Sequence, residues 1–470
     1  DMSEFRQEED SLGEMNIPID SLYGASTQRA ILNFPISGEV LDQEFIKAYG
    51  LIKWAASVSN FKVGNLDEKK SKIISKAAQE IYEGKFPEQF PVDVYQTGSG
   101  TSTNMNVNEV IANRCAILLG MKLTDDSRPI HPNDDVNKSQ SSNDTFPSAM
   151  HISIACALKN DLLPELDKLM QSLDRKSTEF AKVIKIGRTH LMDATPITMG
   201  QEFKGFVRQI ELSIERAKKA IEAVSELPLG GTAVGTGINC PAGFPKIAID
   251  FISSKTGICF HEALNHFESQ SAKDSVVECH GFINTINTSL FKIANDIRLL
   301  GAGPRCNLGE LNLSPIQPGS SIMPGKVNPV ISESITMVAS RVFGNNATIT
   351  WCGANGHLQL NTFMPVMIKC ALESIKLTTN GCKVLRIKCI DGLSANKDKC
   401  SEHIDYSLAM ATSLVPILGY DIASKIAKES LIKGISVYDI CVSKINELNN
   451  IDAKIDKSYL KKILDPQKMI

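Results

Sequence analysis

Apolar residues in the middle of the chain return every third or fourth position. Between Ser275 and Leu300 they fall at Val276, Cys279, Ile283, Ile286, Leu290, Ile293, Ile297 and Leu300, the spacing that lays one stripe along a helix of about 3.6 residues per turn. One long helix with a buried face is predicted there. The stretch RQIELSIERAKKAIEAVSEL repeats the pattern through Ile210, Ile214, Ala217, Ile221 and Val224. ISESITMVASRVFGN repeats it again through Ile331, Ile335, Val338 and Val342, with a stop expected at Gly344. Several helices of this length predict a bundle whose stripes pack on one another and on neighbouring subunits. No β-α-β alternation is visible.

Polar, turn-rich stretches interrupt the helical pattern. RPIHPNDDVNKSQSSNDTFP and CIDGLSANKDKC place cuts near residues 137 and 391, giving an N-terminal segment 1–137, a central helical segment 138–391 and a small C-terminal helical segment 392–470. In the lysine-rich tail, KSYLKKIL reads as a solvated helix face. No repeat at solenoid periods occurs.

Composition narrows the function classes. At 470 residues the chain can bury a large core and has room for two or three domains. Fifty basic against 53 acidic residues, a net charge of −3, argue against nucleic acid or an anionic membrane as the main partner. A small molecule or a protein is left. The 12 cysteines stand singly, with no C-x-x-C pair, so free and mostly buried thiols in a reducing compartment are expected, with no metal site. No apolar run is long enough to span a bilayer and DMSEFRQEED has no signal-peptide core. A soluble chain is expected, cytoplasmic, or in the mitochondrial matrix if a targeting segment has been removed.

Four polar islands lie between the helical stretches, where chemistry on a rigid scaffold is to be sought. TGSGTSTNMNVNE (97–109) gathers hydroxyls around Gly98 and Gly100, a surface of neutral donors suited to a carboxylate. The same letters also suit a loop leading into a capped helix. HPNDDVNKSQSSND (131–144) repeats the theme with Ser141, Ser142 and Asn143, or is a solvated turn. GRTHLMDATP (187–196) sets His190 beside Arg188, Thr189 and Asp193, and a histidine acts as acid or base only with a partner that orients it. In PGSSIMPGKVNPV (318–330), Pro329 and Asn328 suit a helix start, where backbone N–H groups and Lys326 favour negative charge. Gly319 and Gly325 permit a mobile lid, and Glu333 falls in the first turn beyond. A rigid Pro-rich turn is the plainer reading. LGGTAVGTGIN is glycine-rich, but lacks the ending of a P-loop and follows a helical pattern, so nucleotide binding is unsupported. Anion binding with proton transfer, such as abstraction of a proton α to a carboxylate, is the chemistry these islands suggest.

GSSIMPGKVNP resembles the signature of the fumarase/aspartase superfamily. Together with TGSGTSTNMNVNE, HPNDDVNKSQSSNDTFP, GRTHLMDATP, GGTAVGTGIN and KIANDIRLLGAGPRC it is similar to class II fumarases, from YGASTQRAI near the start to GYDIASKIAKE in the tail. The resemblance implies an all-α, three-domain fold whose long central helices form a homotetramer core, with active sites shared between subunits. It implies reversible trans hydration of fumarate to L-malate through an aci-carboxylate, without a metal or organic cofactor. By motif, Ser320 is then the base at C3 and Lys326 and Asn328 stabilise the intermediate. His190, paired with Glu333, acts through a water on the C2 hydroxyl. Ser99, Thr101, Ser141, Ser142, Asn143 and Thr189 hold the substrate carboxylates, and a second anion site matches Arg128, His131, Asn133 and Asp134. The nearest alternative is aspartate ammonia-lyase, against which GRTH, QSSND and MPGK stand where aspartases resemble GRTQ, QSTND and MPAK. A non-catalytic structural member of the superfamily is the other. Two departures are notable: TSTNMN in place of TQSNMN or TQTNMN, and ALNHFESQSAKD in place of APNKFEALAAHD.

Overall fold

The computed structural model describes residues 5–470. In chain order the strands are β1 (Phe5–Asp10), β2 (Gly13–Pro18), β3 (Ile184–Thr189), β4 (Met192–Thr198), β5 (Glu226–Leu227), β6 (His261–Glu262), β7 (Leu311–Asn312) and β8 (Ser394–Ala395). The helices are α1 (Ala25–Asn33), α2 (Gln43–Lys62), α3 (Glu68–Tyr82), α4 (Thr101–Leu118), α5 (Ser142–Ala157), α6 (Leu163–Glu179), α7 (Met199–Ala223), α8 (Phe244–Thr256), α9 (His266–Ser271), α10 (Asp274–Leu300), α11 (Val330–Ala354), α12 (Met364–Lys388) and α13 (Lys397–Tyr406). Five more follow, α14 (Val415–Leu418), α15 (Tyr420–Lys433), α16 (Val437–Ser443), α17 (Ile445–Asn449) and α18 (Lys457–Ile463).

The all-α expectation holds, since the strands among the described residues form only isolated two-stranded ribbons. Those ribbons left little trace in the sequence. Of the residues paired between β1 and β2, only Arg6 and Ile17 are buried, so no apolar alternation marks them.

By packing, the chain forms two compact units: Asp1–Pro164, Ile214–Asn287 and Val338–Thr379 in the first, Glu165–Ser213, Thr288–Met337 and Asn380–Ile470 in the second. The cuts near 137 and 391 divide the chain by sequence order, a different criterion.

In the first unit, α2 packs against α3, α5 and α8. It is apolar nearly all round, with Phe45, Ile46, Tyr49, Leu51, Ile52, Ala55 and Ala56 buried, as befits a helix enclosed on every side. Asp42 caps it by accepting from Glu44 N–H, and Asp67 caps α3 by accepting from Lys70 N–H. The stripe of α10 is buried as its spacing predicts, through Val276, Cys279, Ile283 and Ile286. His280 and Asn287 on the same helix reach Ser374 and Thr378 of α12 at 2.8 and 2.9 Å, so these polar letters inside the stripe are hydrogen-bonded across to a neighbouring helix rather than exposed, with Asn287 Oδ1 left unpaired. The helix begun by ISESITMVASRVFGN does not stop at Gly344 but runs to Ala354. A glycine there costs only about 1 kcal/mol, whereas Asn345, Ile349 and Cys352 beyond it are buried. Packing outweighs the local preference.

In the second unit, the stripe of α10 continues through buried Leu290, Ile293, Ile297 and Leu300. The C-terminal helices close around Ile404, Leu414, Ile426, Ile440 and Leu460, and Ile186 of β3 packs into the same cluster. On α18, Leu460 is buried while Lys457, Lys461 and Lys462 are exposed, the solvated face expected of the tail. All twelve cysteines are free and most are buried, with Cys259 and Cys306 exposed.

Candidate functional site

The hydroxyl-rich islands meet in the first unit. Gly100 precedes α4 with φ of 73°, and a Cβ there would sit 2.0 Å from Cδ2 of buried Phe146. The glycine therefore lets the start of α4 lie against α5. Across that contact Ser99 Oγ is 2.8 Å from Thr101 Oγ1, and Thr101 Oγ1 is 2.8 Å from Ser142 Oγ, a chain of hydroxyls that leaves a donor for an anion at its end.

Ser141 and Asp144 form a capping box at the start of α5: Ser141 Oγ accepts from Asn143 N–H, and Asp144 Oδ1 accepts from Ser141 N–H. The other Asp144 oxygen accepts from Gly230 and Thr232 N–H at 3.0 and 2.9 Å. This fully buried carboxylate thereby pins the GGTAVGTGIN loop to α5, and Asn143 Nδ2 donates to Ala233 O at 2.8 Å. The loop's glycines serve close packing on neighbouring segments: a Cβ on Gly230 would meet the ring of Pro245, and one on Gly231 the side chains of Gln270 and His266. Thr101, Ser141 and Ser142 line a cleft of about 1010 Å³, and Asn133 and Asp134 lie on the same wall.

The other two residues of the expected second anion site, Arg128 and His131, do not line that cleft. Arg128 Nη1 donates to Glu8 at 2.9 Å and to Asn113 Oδ1, so its charge is matched by a carboxylate. His131 Nδ1 accepts from the N–H groups of Asn133 and Asp134 at 3.2 and 3.1 Å, which puts the proton of the neutral ring on Nε2.

The remaining candidates lie in the second unit. His190 and Leu191 are the two-residue tip of the β3–β4 hairpin, with φ of 58° and 60°. Both central residues left-handed is the geometry of a type I′ turn, which Asn and Gly adopt most readily. A histidine held there is strained and exposed, a feature that clusters at functional sites. The hairpin is anchored from below. Buried Glu310 accepts from Arg188 Nη2 at 2.7 Å and from His403 Nδ1 at 2.9 Å, and its second oxygen is 3.3 Å from Lys185 Nζ. Burial pushes the Glu310 carboxyl up, but the Arg188 and His403 hydrogen bonds and the Lys185 charge outweigh it and hold it below the usual glutamate range.

His190 and Glu333 are both exposed, and among the described residues no hydrogen bond or ion pair joins them. Glu333 lies in the first turn of α11, as its position predicts. The segment before that helix is an irregular loop from Leu313 to Pro329. Ser320 Oγ accepts from the N–H groups of Ile322 and Met323 at 3.3 and 3.0 Å. Asn328 does not cap α11, which begins at Val330; its Nδ2 donates to Gly319 O and closes the loop on itself. A Cβ on Gly319 would fall 1.7 Å from Lys326 O, so the crossing of the two arms requires glycine. Lys326 itself is exposed beside that crossing.

Two charged groups escaped the sequence reading. Glu310 sits in GELNL and Lys53 in LIKWAASVSN, and both are fully buried. A lysine inside an apolar helical run was the available signal, since a buried charge is rare unless it is held by partners. Among the described residues no group of three or more His, Cys, Asp or Glu side chains is placed to hold a metal ion, and no helix is long and apolar enough to cross a membrane.

Known proteins place this geometry in a family. Residues 13–344 match a family model described as lyase, and residues 410–470 match one described as fumarase C C-terminus. The chain is 49% identical over 437 residues to the mitochondrial fumarate hydratase of Saccharomyces cerevisiae, covering 93% of this chain and 89% of that one. It is 48% identical over 469 residues to the class II fumarate hydratase of Rickettsia conorii, covering 100% and 99%. The crystal structure of recombinant class II fumarase from Schistosoma mansoni superposes with a TM-score of 0.94 at 36% identity, over 99% of both chains. With both family models matched in order and likeness sustained over almost its whole length, the chain belongs to the class II fumarate hydratase family of lyases.

Proposed function

We propose that this hydro-lyase interconverts fumarate and L-malate by trans addition and loss of water, with Ser320 as the base at carbon. In the dehydration direction Ser320 Oγ takes the C3 proton of malate and the electron pair passes into the adjacent carboxylate as an aci-carboxylate. Lys326 and Asn328 stabilise that charge. His190, which we pair with Glu333 only in the assembled, shared active site because no bond joins them within one chain, protonates the departing C2 hydroxyl through a bound water, so that one water leaves and fumarate remains. Thr101, Ser141, Ser142 and Asn143, with Ser99 and Thr189, hold the substrate carboxylates.

One observation carries this reading. An ordinary serine hydroxyl is too weak an acid to serve as a base, and its alkoxide needs donors already in place. The two backbone N–H groups aimed at Ser320 Oγ are such donors. The test is the ultraviolet absorbance of fumarate's conjugated double bond, with L-malate and with L-aspartate as separate substrates. Fumarate from malate alone is expected; fumarate from aspartate would move the reading to ammonia-lyase, and none from either would remove the catalytic reading.

Exposed Leu264, Leu358 and Trp351, at 92%, 86% and 71%, support assembly into a homotetramer with shared active sites. The division at 137 and 391 into three segments belongs to the same proposal. For Arg128, His131, Asn133 and Asp134 we propose an accessory anion site, supported by the share of Asn133 and Asp134 in the cleft wall. Relatives named as mitochondrial and relatives from bacteria support the mitochondrial matrix or the cytoplasm as its place of action.

A further inference from the structure

Lys53 lies in the middle of α2 with none of its surface exposed. Its ammonium donates to Asn104 Oδ1 at 2.8 Å, Asn137 Oδ1 at 3.2 Å and Gln140 Oε1 at 3.0 Å. Three donors meet three acceptors, so the charged form is fully satisfied. Those three amides line the cleft that Thr101, Ser141 and Ser142 also line. They are tied onward: Asn104 Nδ2 donates to Asn137 Oδ1, Asn137 Nδ2 donates to Gln140 O, and Gln140 Nε2 donates to Val136 O and Lys138 O. The segment leading into Ser141 thus takes its shape from one buried cation.

We propose that Lys53 is a positioning residue of the carboxylate-binding wall: it fixes the amides of Asn104, Asn137 and Gln140 behind Thr101, Ser141 and Ser142, and places a positive charge one side chain behind the substrate's anionic group. This rests on the reading that those hydroxyls bind a substrate carboxylate. Among titratable groups on the surrounding elements, Tyr49 of the same helix presents its ring 5.6 Å from the ammonium, Asp144 of α5 is the carboxylate that acts on it, and Asp135 is held by Lys70. Burial pushes the Lys53 ammonium down to about 7, against the pull of Asp144. On losing its proton the amine would turn a lone pair toward an amide oxygen, and the charge behind the wall would vanish. A bound dicarboxylate favours the ammonium, so binding and protonation are linked.

The experiment is calorimetric titration of the full chain with succinate, a dicarboxylate that cannot eliminate water, from about pH 6 to about pH 8.5, for the wild type, Lys53→Arg and Lys53→Met. Wild-type affinity is expected to weaken about tenfold across that range, the size of one pKa unit of linkage. Lys53→Arg, a permanent cation, flattens the profile. Lys53→Met binds about tenfold more weakly already at the acid end, raising KM for malate more than it lowers kcat. A flat wild-type profile, or an arginine variant with the wild-type slope, overturns the proposal even if the methionine variant does not fold. Malate turnover by the wild type is measured alongside: an inactive wild type sinks the hydratase reading, whereas an active one with a flat succinate profile sinks only the role of Lys53.

Discussion

Replacing Gly319 by alanine tests whether the self-crossed loop sets the catalytic rate. The added Cβ would stand 1.7 Å from Lys326 O and 2.6 Å from Lys326 C, backbone atoms that cannot swing aside as a flexible side chain would. Real Cβ contacts essentially never fall under 3.0 Å, so the two arms must separate by more than 1 Å. That displacement acts on the neighbours of every reacting group proposed for the loop: Ser320 follows directly, Lys326 is the residue struck, and Asn328 loses its acceptor on Gly319. A misplacement of about 1 Å costs on the order of 10²-fold in rate, equivalent to about 2.7 kcal/mol of barrier. The loop forms no part of the helical core, so folding should be spared. The assay is malate turnover followed by absorbance, with thermal unfolding of the same sample. We expect kcat to fall about 100-fold with the unfolding midpoint unchanged. A variant with kcat within twofold of the wild type would show that the crossing is not needed for chemistry, and one that loses activity together with its midpoint would assign the glycine to stability instead.

His190→Asn should lower turnover by about 10²- to 10⁴-fold, the usual range for a lost general acid or base, while sedimentation shows the assembly intact; near-normal turnover would remove its water-activating role. Glu310→Gln leaves Lys185 and Arg188 without their buried carboxylate and should cost about 3–5 kcal/mol in urea unfolding, whereas a loss under 1 kcal/mol would make the network dispensable. Because Glu310 is held below its ordinary range in the fold, its stabilisation is full above the unfolded value and fades as pH falls through the folded one. His151 is buried with Nδ1 2.6 Å from Glu226 O and Nε2 3.0 Å from Ser275 Oγ, and burial pushes it from 6.5 to about 4. The unfolded chain therefore takes up this proton first, and stability should decline from pH 6.5 to about 4 and cease declining on this account below it. His151→Gln should remove that part of the decline, and an unchanged acid limb would show that other groups carry it.

The helical bundle was legible because α10 carries its stripe on a period close to the helix turn, and burial along Val276 to Leu300 follows that period. The islands were legible because glycines, hydroxyls and a Pro-rich loop break that period. Motif likeness named the family and the candidate residues. The end of α11 was misjudged because a glycine's local cost is smaller than the burial gained beyond it, and only neighbours in space reveal that gain. The capping role expected of Asn328 failed for a similar reason: its amide has a tertiary acceptor on Gly319. The His190 turn, the Glu310 network and the buried Lys53 were decided by structure alone. The two charge networks depend on residues far apart in the chain, Lys53 on Asn104 and Gln140, Glu310 on Arg188 and His403. Sequence records which groups a chain owns, and periodicity records which face of an element is apolar. Whether a buried charge is satisfied depends on the distance and direction of its partners, and only the folded chain fixes those.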